Sequence, residues 1–392
     1  MNKESLYLLK VLQCFIANQD PGPFDGDINQ LVQLSGEQAV EGILAYTIMT
    51  YPHSCFVDIV TEDRHVAMRT IAIYAQRAAL MDHLVHLLNE AHISHLLFKG
   101  YIVKNYYPVP ELRSFGDIDF MIHPEDRVQC DELMMTNGFQ RETDWEPVYT
   151  YRKQLEKYEI HTDIMEVDVS SKADYKGYYS HVWEHVVKKQ DYTYELEPEF
   201  HFLYLLTHIA KHISGSGAGI RMYMDLAVFI KHFGDQLDYS YISNELEKLC
   251  FTQFANMALT IVEQYFGVKS PITLKAINDD VLEDFMIYTM EGGTFGAIGR
   301  DAAIIDLKQQ SRNEKTSRLK TFLHRLFAPA NELEKRYTYL KGHHYLVPLA
   351  WIHRLFKTKA SWKQHAQEAK GIMNADLTEV ERLKRIHKEI DL

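Results

Sequence analysis

Residues 95–122 read HLLFKGYIVKNYYPVPELRSFGDIDFMI, and this stretch decides the fold class. It opens with a short apolar run that ends at Lys99-Gly100, after which the apolar residues recur at helical spacing. It closes with Asp117-Ile118-Asp119 leading into a second apolar run. Short apolar runs bounded by glycine and proline are typical of strands, and helical spacing between them is typical of a mixed α/β unit.

The sequence on both sides of this stretch is mostly helical in pattern. Apolar residues recur at helical spacing from residue 6 to about 89 and again after Pro198. Between them, β-prone runs alternate with a helix predicted over 124–137. Strands are predicted over residues 93–98, 117–122, 148–152, 157–164 and 165–169. We therefore predict an α+β fold, a small mixed-sheet core embedded in a mostly helical protein.

This pattern divides the chain into four predicted parts. They are a helical N-terminal region (1–90), an α/β core (91–195), a helical domain that closes the cleft (196–306) and a basic helical C-terminal region (307–392). The basic C-terminal run is more typical of a solvated helix face than of a nucleic-acid site.

Composition excludes several classes of protein. Hydrophobic residues make up 46% of the 392 residues and charged residues 24%, which is ordinary globular usage and argues against disorder or a disulfide scaffold. The formal charge of −12 argues against a surface that binds nucleic acid throughout. The four cysteines lie far apart and predict free thiols. No apolar run reaches the roughly 18 residues of a membrane span, and the N-terminus does not resemble a signal peptide, so we expect a cytoplasmic protein.

Asp117 and Asp119 are the first candidate catalytic residues. Because side chains alternate along a strand, both carboxylates leave the same face, about 7 Å apart along the backbone. Oxygen ligands in this arrangement suit Mg²⁺ and leave coordination sites for phosphate. An Asp-x-Asp pair is common, however, and on its own favours an ordinary solvent-facing strand edge.

Two neighbouring features suit a phosphate group. Lys99-Gly100 ends a strand before a helix, where free backbone N–H groups and a lysine charge can meet an anion. Arg113 lies four residues before the first aspartate and can clamp a triphosphate with its forked guanidinium. Taken separately, each residue is equally compatible with a solvated lysine or a surface salt bridge.

Two bound divalent ions require a third carboxylate. Glu166 and Asp168 share one face of a predicted strand, and Glu159, His161 and Asp163 share a face just before it. We prefer Glu166, with Asp168 second. The corresponding chemistry is in-line attack of an acceptor hydroxyl on a nucleotide α-phosphate with release of pyrophosphate.

Together these residues resemble the uncharacterised nucleotidyltransferases of the DNA polymerase beta-type superfamily. The resemblance rests on the following positions: Lys99-Gly100, Tyr107-Pro108, Arg113, Asp117-Ile-Asp119, Asn137-Gly138-Phe139, Glu166, Tyr179, Trp183, His208 to His212, Gly219-Ile-Arg221 and Asp225-Leu-Ala. Weaker matches continue to Trp351. The sequence departs from the superfamily's usual Gly-Ser, since it has Lys99-Gly100 there. It also has Asp168 where members tend to carry a histidine two residues after the third acid.

The resemblance implies a two-metal nucleotidyltransferase that uses a nucleoside triphosphate such as ATP, with Mg²⁺, or alternatively Mn²⁺, as the ion. Asp117, Asp119 and Glu166 would be catalytic metal ligands. Nucleotide or acceptor contacts would come from Lys99, Gly100, Arg113, Asp168, His208, His212, Arg221 and Asp225. We expect a small-molecule acceptor in preference to a protein or nucleic acid, and no membrane partner.

Alternatives remain open at this point. His208 and His212 are one helical turn apart and are about as compatible with a hydrogen-bonded pair in a helix interface. Ile209 stands where a metalloprotease would need its glutamate, so peptide hydrolysis has no support. The departures from the superfamily pattern also fit a nucleotide-binding or protein-interaction module without turnover. A nucleic-acid end modifier using the basic C-terminal helices ranks last.

Overall fold

The computed structural model describes residues 1–56, 60–154, 156–165, 169–215, 217–294, 307, 317–334, 337–340, 342–356 and 370–392. Its helices include α1 (Lys3–Ala17), α2 (Ile28–Glu37), α3 (Glu41–Thr50), α4 (Val60–Glu90), α5 (Gly100–Val103), α6 (Arg127–Thr136), α7 (Tyr175–Tyr179), α8 (Pro198–Ser214), α9 (Ile220–Phe233), α10 (Tyr239–Lys248), α11 (Thr252–Phe266), α12 (Asp279–Glu291), α13 (Arg318–Leu326), α14 (Ala330–Glu334), α15 (Val347–Phe356) and α16 (Leu377–Glu389). Its strands are β1 (His95–Leu97), β2 (Ile118–Ile122), β3 (Gln140–Trp145), β4 (Val148–Lys153), β5 (Glu156–His161), β6 (Val186–Gln190) and β7 (Thr193–Leu196).

The seven strands form one mixed sheet in the order β3-β4-β5-β2-β1-β7-β6. The central strand β2 runs antiparallel to β1 and parallel to β5. In the β2–β5 register, Asp119 lies opposite Glu159. The predicted α+β class, a mixed sheet within a mostly helical protein, is therefore confirmed.

Alternation along β2 decides which side chains reach the site. Ile118, Phe120 and Ile122 are buried in a core that also contains side chains of α4 and α6. Met121 joins the opposite core, which contains α8 and α9. Because Asp119 has the parity of Met121, it leaves the sheet on the side that faces α8 and α9.

One large apolar core unites the N-terminal helices with the helices after Pro198. It contains side chains of α1, α3, α8, α9 and α11. Gln38, which is fully buried, ties the ends of three helices together. Its amide donates to the carbonyls of Thr289 and Met290, and its oxygen accepts from the N–H of Ile220 at 2.8 Å. This contact fixes the first turn of α9 beside the sheet.

Most predicted elements correspond to observed ones. The predictions over 93–98, 117–122, 148–152 and 157–164 correspond to β1, β2, β4 and β5, and β5 ends earlier, at His161. The run predicted over 165–169 falls largely on residues 166–168, outside the described residues. The division into four parts stays a prediction, because residues 295–306 and much of 308–369 also lie outside them.

Two further expectations can be compared with the structure. The cysteines form no disulfide, as predicted. Within the part of the chain that is described, no helix has the length and apolar character needed to cross a membrane.

Candidate functional site

A cavity of about 230 Å³ lies between the sheet and helices α8 and α9. Nine of the eleven predicted site residues line it: Lys99, Gly100, Arg113, Asp117, Asp119, His208, His212, Arg221 and Asp225. The other two, Glu166 and Asp168, lie outside the described residues. Residues that are more than 100 positions apart in sequence therefore converge on one site.

The two aspartates have different electrostatic surroundings. Oδ1 of Asp119 lies 2.8 Å from Nζ of Lys99 and 2.9 Å from Nε2 of His161. Burial raises the pKa of Asp119, but Lys99 and His161 outweigh it and hold that pKa well below its usual range. For Asp117, burial and the charges of Asp119 and Glu159 raise the pKa to about 6. Asp119 is thus ionised at neutral pH, whereas the pKa of Asp117 is shifted toward neutral pH.

Glu159 and His161 bring two more metal-ligand atoms to Asp119. Ligand atoms of the three side chains lie within 4.8 Å of one another, and Nε2 of His161 is 3.9 Å from Oε2 of Glu159. Glu159 also forms an ion pair with Lys157. Oxygen and imidazole nitrogen atoms at this spacing fit one divalent cation.

Sequence reasoning kept Glu159 and His161 as candidates but preferred Glu166. A signal that favours Glu159 was present. In Glu159-Ile160-His161 a histidine follows the acid by two residues. Members of the family that the sequence resembles tend to carry a histidine at that position. The strand register adds the information that this acid stands opposite Asp119.

Lys99 has an unusual backbone conformation. Its φ of 55° and ψ of −140° fall in a region that residues other than glycine rarely adopt, at a cost of roughly 1–3 kcal/mol. The residue lies between β1 and α5, and its ammonium group bonds Asp119. The side chain of Lys99 lines the cavity.

Arg113 and Asp225 form a buried ion pair across the cavity wall. Nε of Arg113 lies 3.1 Å from Oδ1 of Asp225, and Nη2 lies 2.6 Å from Oδ2. The hydroxyl of Tyr107 donates to the same Oδ1 at 2.7 Å. Burial lowers the pKa of Arg113, but Asp225 outweighs it and raises that pKa above its usual value. Asp225, predicted as a nucleotide or acceptor contact, thus holds Arg113.

The helical wall of the cavity carries His208, His212 and Arg221. The Nε2 atoms of His208 and His212 are 3.1 Å apart, so the histidines form a hydrogen-bonded pair that also lines the cavity. Burial and neighbouring positive charge lower the pKa of His212 to about 4 and that of His208 well below its usual value. Both rings are therefore neutral at pH 7. Nη1 of Arg221 donates to the carbonyl and hydroxyl oxygens of Ser114 at 2.8 and 2.9 Å.

Comparison with known proteins identifies one family. A family model described as an uncharacterised nucleotidyltransferase matches residues 25–267. This span is more than half of the chain and contains the positions of all the predicted site residues. No curated protein matches the chain, and no solved structure does so either. The chain belongs to this uncharacterised nucleotidyltransferase family.

Proposed function

We propose that the protein is a metal-dependent enzyme that transfers a nucleoside monophosphate from a nucleoside triphosphate to a hydroxyl group of a small-molecule acceptor. The observation that carries the proposal is one cavity in which Asp117, Asp119 and Glu159 face a wall containing Lys211 and Arg221. Carboxylates suit the divalent ions, and the cationic wall suits the polyphosphate chain. Membership of the nucleotidyltransferase family supports the reaction class.

The side chains on the sheet fit a divalent cation. Asp119, Glu159 and His161 already have ligand atoms close together, and Asp117 borders the same cavity. These residues would hold Mg²⁺ or Mn²⁺, and we propose Glu159 as the third carboxylate. When bound, such an ion supplies positive charge to the phosphate oxygens.

The chain's own groups can manage the proton and the charges of the reaction. The acceptor oxygen forms a bond to the α-phosphorus, and the bond from that phosphorus to the bridging oxygen breaks, so that pyrophosphate leaves with the electron pair. Asp117, a carboxylate on the cavity wall two residues before Asp119, is suited to take the proton of the acceptor hydroxyl. Lys99, in the turn between β1 and α5, adds positive charge beside the reacting phosphates.

Release of pyrophosphate tests the proposal directly. Labelled nucleoside triphosphates would be incubated with Mg²⁺ or Mn²⁺ and a broad acceptor panel, using the wild type, Asp117→Asn and Asp119→Asn. Asp235→Asn, an exposed acid after α9, is the matched control. We expect metal-dependent release that falls at least about 100-fold in the two cavity variants and is unchanged in the control.

The contrary result is equally specific. Equal background release in all four proteins would contradict an enzyme. A triphosphate-dependent rise in melting temperature without any pyrophosphate release would instead favour the nucleotide-binding module that does not turn its ligand over.

A further inference from the structure

Two cations that line the cavity are each paired with one carboxylate. Nζ of Lys99 lies 2.8 Å from Asp119, and the guanidinium of Arg113 is held by both oxygens of Asp225. Arg221 differs from both of them. Among the described residues no carboxylate oxygen lies within 4.0 Å of its guanidinium nitrogens, although Arg221 borders the same cavity.

Arg221 is nevertheless held in place. Its Nη1 donates to both Ser114 oxygens, and the Ser114 hydroxyl donates in turn to the carbonyl of Ala39 at 2.5 Å. The Ser114 oxygen is therefore free to accept from the arginine. Nε of Arg221 is buried and has no hydrogen-bond partner within the described ranges. The guanidinium is thus anchored through one nitrogen, with hydrogen-bonding capacity left over.

The carboxylate of Asp225, whose charge acts on Arg221, is already bonded to other groups. Oδ1 of Asp225 accepts from Arg113 and Tyr107, and Oδ2 accepts from Arg113. Burial and the neighbouring Arg113 charge lower the pKa of Arg221, whereas the net shift of the paired Arg113 is upward. At the N-terminus of α9, the N–H of Ile220 is already bonded to Gln38.

We propose that Arg221 is the guanidinium that binds a phosphate group of the triphosphate and of the departing pyrophosphate, and that Arg113 is a positioning residue. A partly buried cation without a counter-ion is unfavourable, and an anionic ligand relieves that cost. Arginine donates two parallel hydrogen bonds to phosphate oxygens, which matches the donors that Arg221 retains. This inference rests on the proposed function, since it assumes a polyphosphate in the cavity.

Calorimetric titration with inorganic pyrophosphate and with a non-hydrolysable triphosphate tests the assignment without turnover. The proteins are the wild type, Arg221→Gln, Arg221→Lys and Arg113→Gln. The control is Arg152→Gln, on β4, which does not line the cavity. For Arg221→Gln we expect a Kd raised about 10- to 100-fold with a melting temperature equal to or above that of the wild type. Arg221→Lys keeps the positive charge but loses the guanidinium that donates two parallel hydrogen bonds. Its Kd should therefore lie between those of the wild type and Arg221→Gln.

Arg113→Gln should show the opposite pattern, a Kd close to that of the wild type with a lower melting temperature. It leaves Asp225 buried without its cation, so the melting temperature should fall. If Arg221→Gln fails to fold, the Kd of Arg221→Lys provides the test. A Kd of Arg221→Lys equal to that of the wild type would overturn the inference. A wild-type Kd in Arg221→Gln, or lost binding in a fully stable Arg113→Gln, would also overturn it while leaving the proposed function intact. A wild-type chain that binds neither pyrophosphate nor triphosphate would overturn both.

Discussion

The guanidinium of Arg113 lies directly against the Cα of Gly100, where the methyl group of an alanine would overlap Nη1 and Cζ. The glycine is required by this close approach and not by an unusual φ, since its φ is not positive. Through this contact the turn after β1 packs on the Arg113–Asp225 pair. The turn after β1 and α9 are thereby joined beside the cavity.

Gly100→Ala should therefore destabilise the protein by about 2–4 kcal/mol, because the methyl group must either push Arg113 off Asp225 or move the turn. Denaturant unfolding of the variant and the wild type measures this difference. Weaker triphosphate binding should accompany it, since the turn also positions Lys99.

Gly36→Ala is the matched control for that substitution. Gly36 is exposed within α2, and an added Cβ there meets nothing within 4 Å. Alanine should be neutral or stabilising by up to about 1 kcal/mol because it favours helix. Equal unfolding midpoints for Gly100→Ala and the wild type would show that Arg113 does not restrict this position.

The backbone of Lys99 gives a prediction that reverses the usual order of alanine and glycine. Lys99→Ala and Lys99→Gly both remove the ammonium from Asp119, so both should be less stable than the wild type. At φ 55°, however, glycine is unstrained, and Lys99→Gly should exceed Lys99→Ala by about 1 kcal/mol in unfolding free energy. An alanine variant as stable as the glycine variant would mean that this turn relaxes without cost.

Burial explains part of how far the fold could be predicted from sequence, although the interior strand β7 was not predicted either. Strands β1 and β2 lie in the middle of the sheet and are almost wholly buried, so they appear as short apolar runs. Strands β3 and β6 form the two edges and are polar, as in QRETDW and VVKKQ. Edge strands exposed to solvent carry little apolar periodicity, and these two could not be predicted.

The same limit applies to the site. Local spacing was enough to predict Asp117 and Asp119 as a pair, because alternation along one strand places them on one face. The ion pair between Arg113 and Asp225 joins residues 112 positions apart, and no local pattern encodes it. Glu159 depends in the same way on the register of β5 beside β2, which only the folded sheet supplies.

Because His201 is buried, we predict that the protein loses stability in mild acid. Burial lowers its pKa to about 4, while the unfolded chain binds a proton near the ordinary value of about 6.5. The pKa of His201 is lower in the folded protein than in the unfolded chain. The stability that the neutral imidazole contributes is therefore fully present above about pH 6.5 and is lost as the pH falls toward 4. Between pH 7 and pH 5 it should decrease by about 2 kcal/mol.

His201→Phe removes the titrating group and keeps a ring against Phe229. Its unfolding free energy should therefore depend less on pH than that of the wild type over this interval. Parallel denaturant titrations at pH 7 and pH 5 provide the comparison, with His181→Phe, at an exposed position, as the control. Identical pH slopes for wild type and His201→Phe would rule out a neutral buried imidazole at this position.

The third carboxylate can be assigned by metal binding alone. Glu159 faces Asp119 across the β2–β5 register and shares a cluster of ligand atoms with His161. Glu159→Gln should therefore weaken Mn²⁺ binding at least about 10-fold, as measured by electron paramagnetic resonance of free Mn²⁺. Glu125→Gln, an exposed acid after β2, should bind as the wild type does. Glu166→Gln should change the affinity little, and a larger loss in Glu166→Gln than in Glu159→Gln would instead assign the third ligand to Glu166.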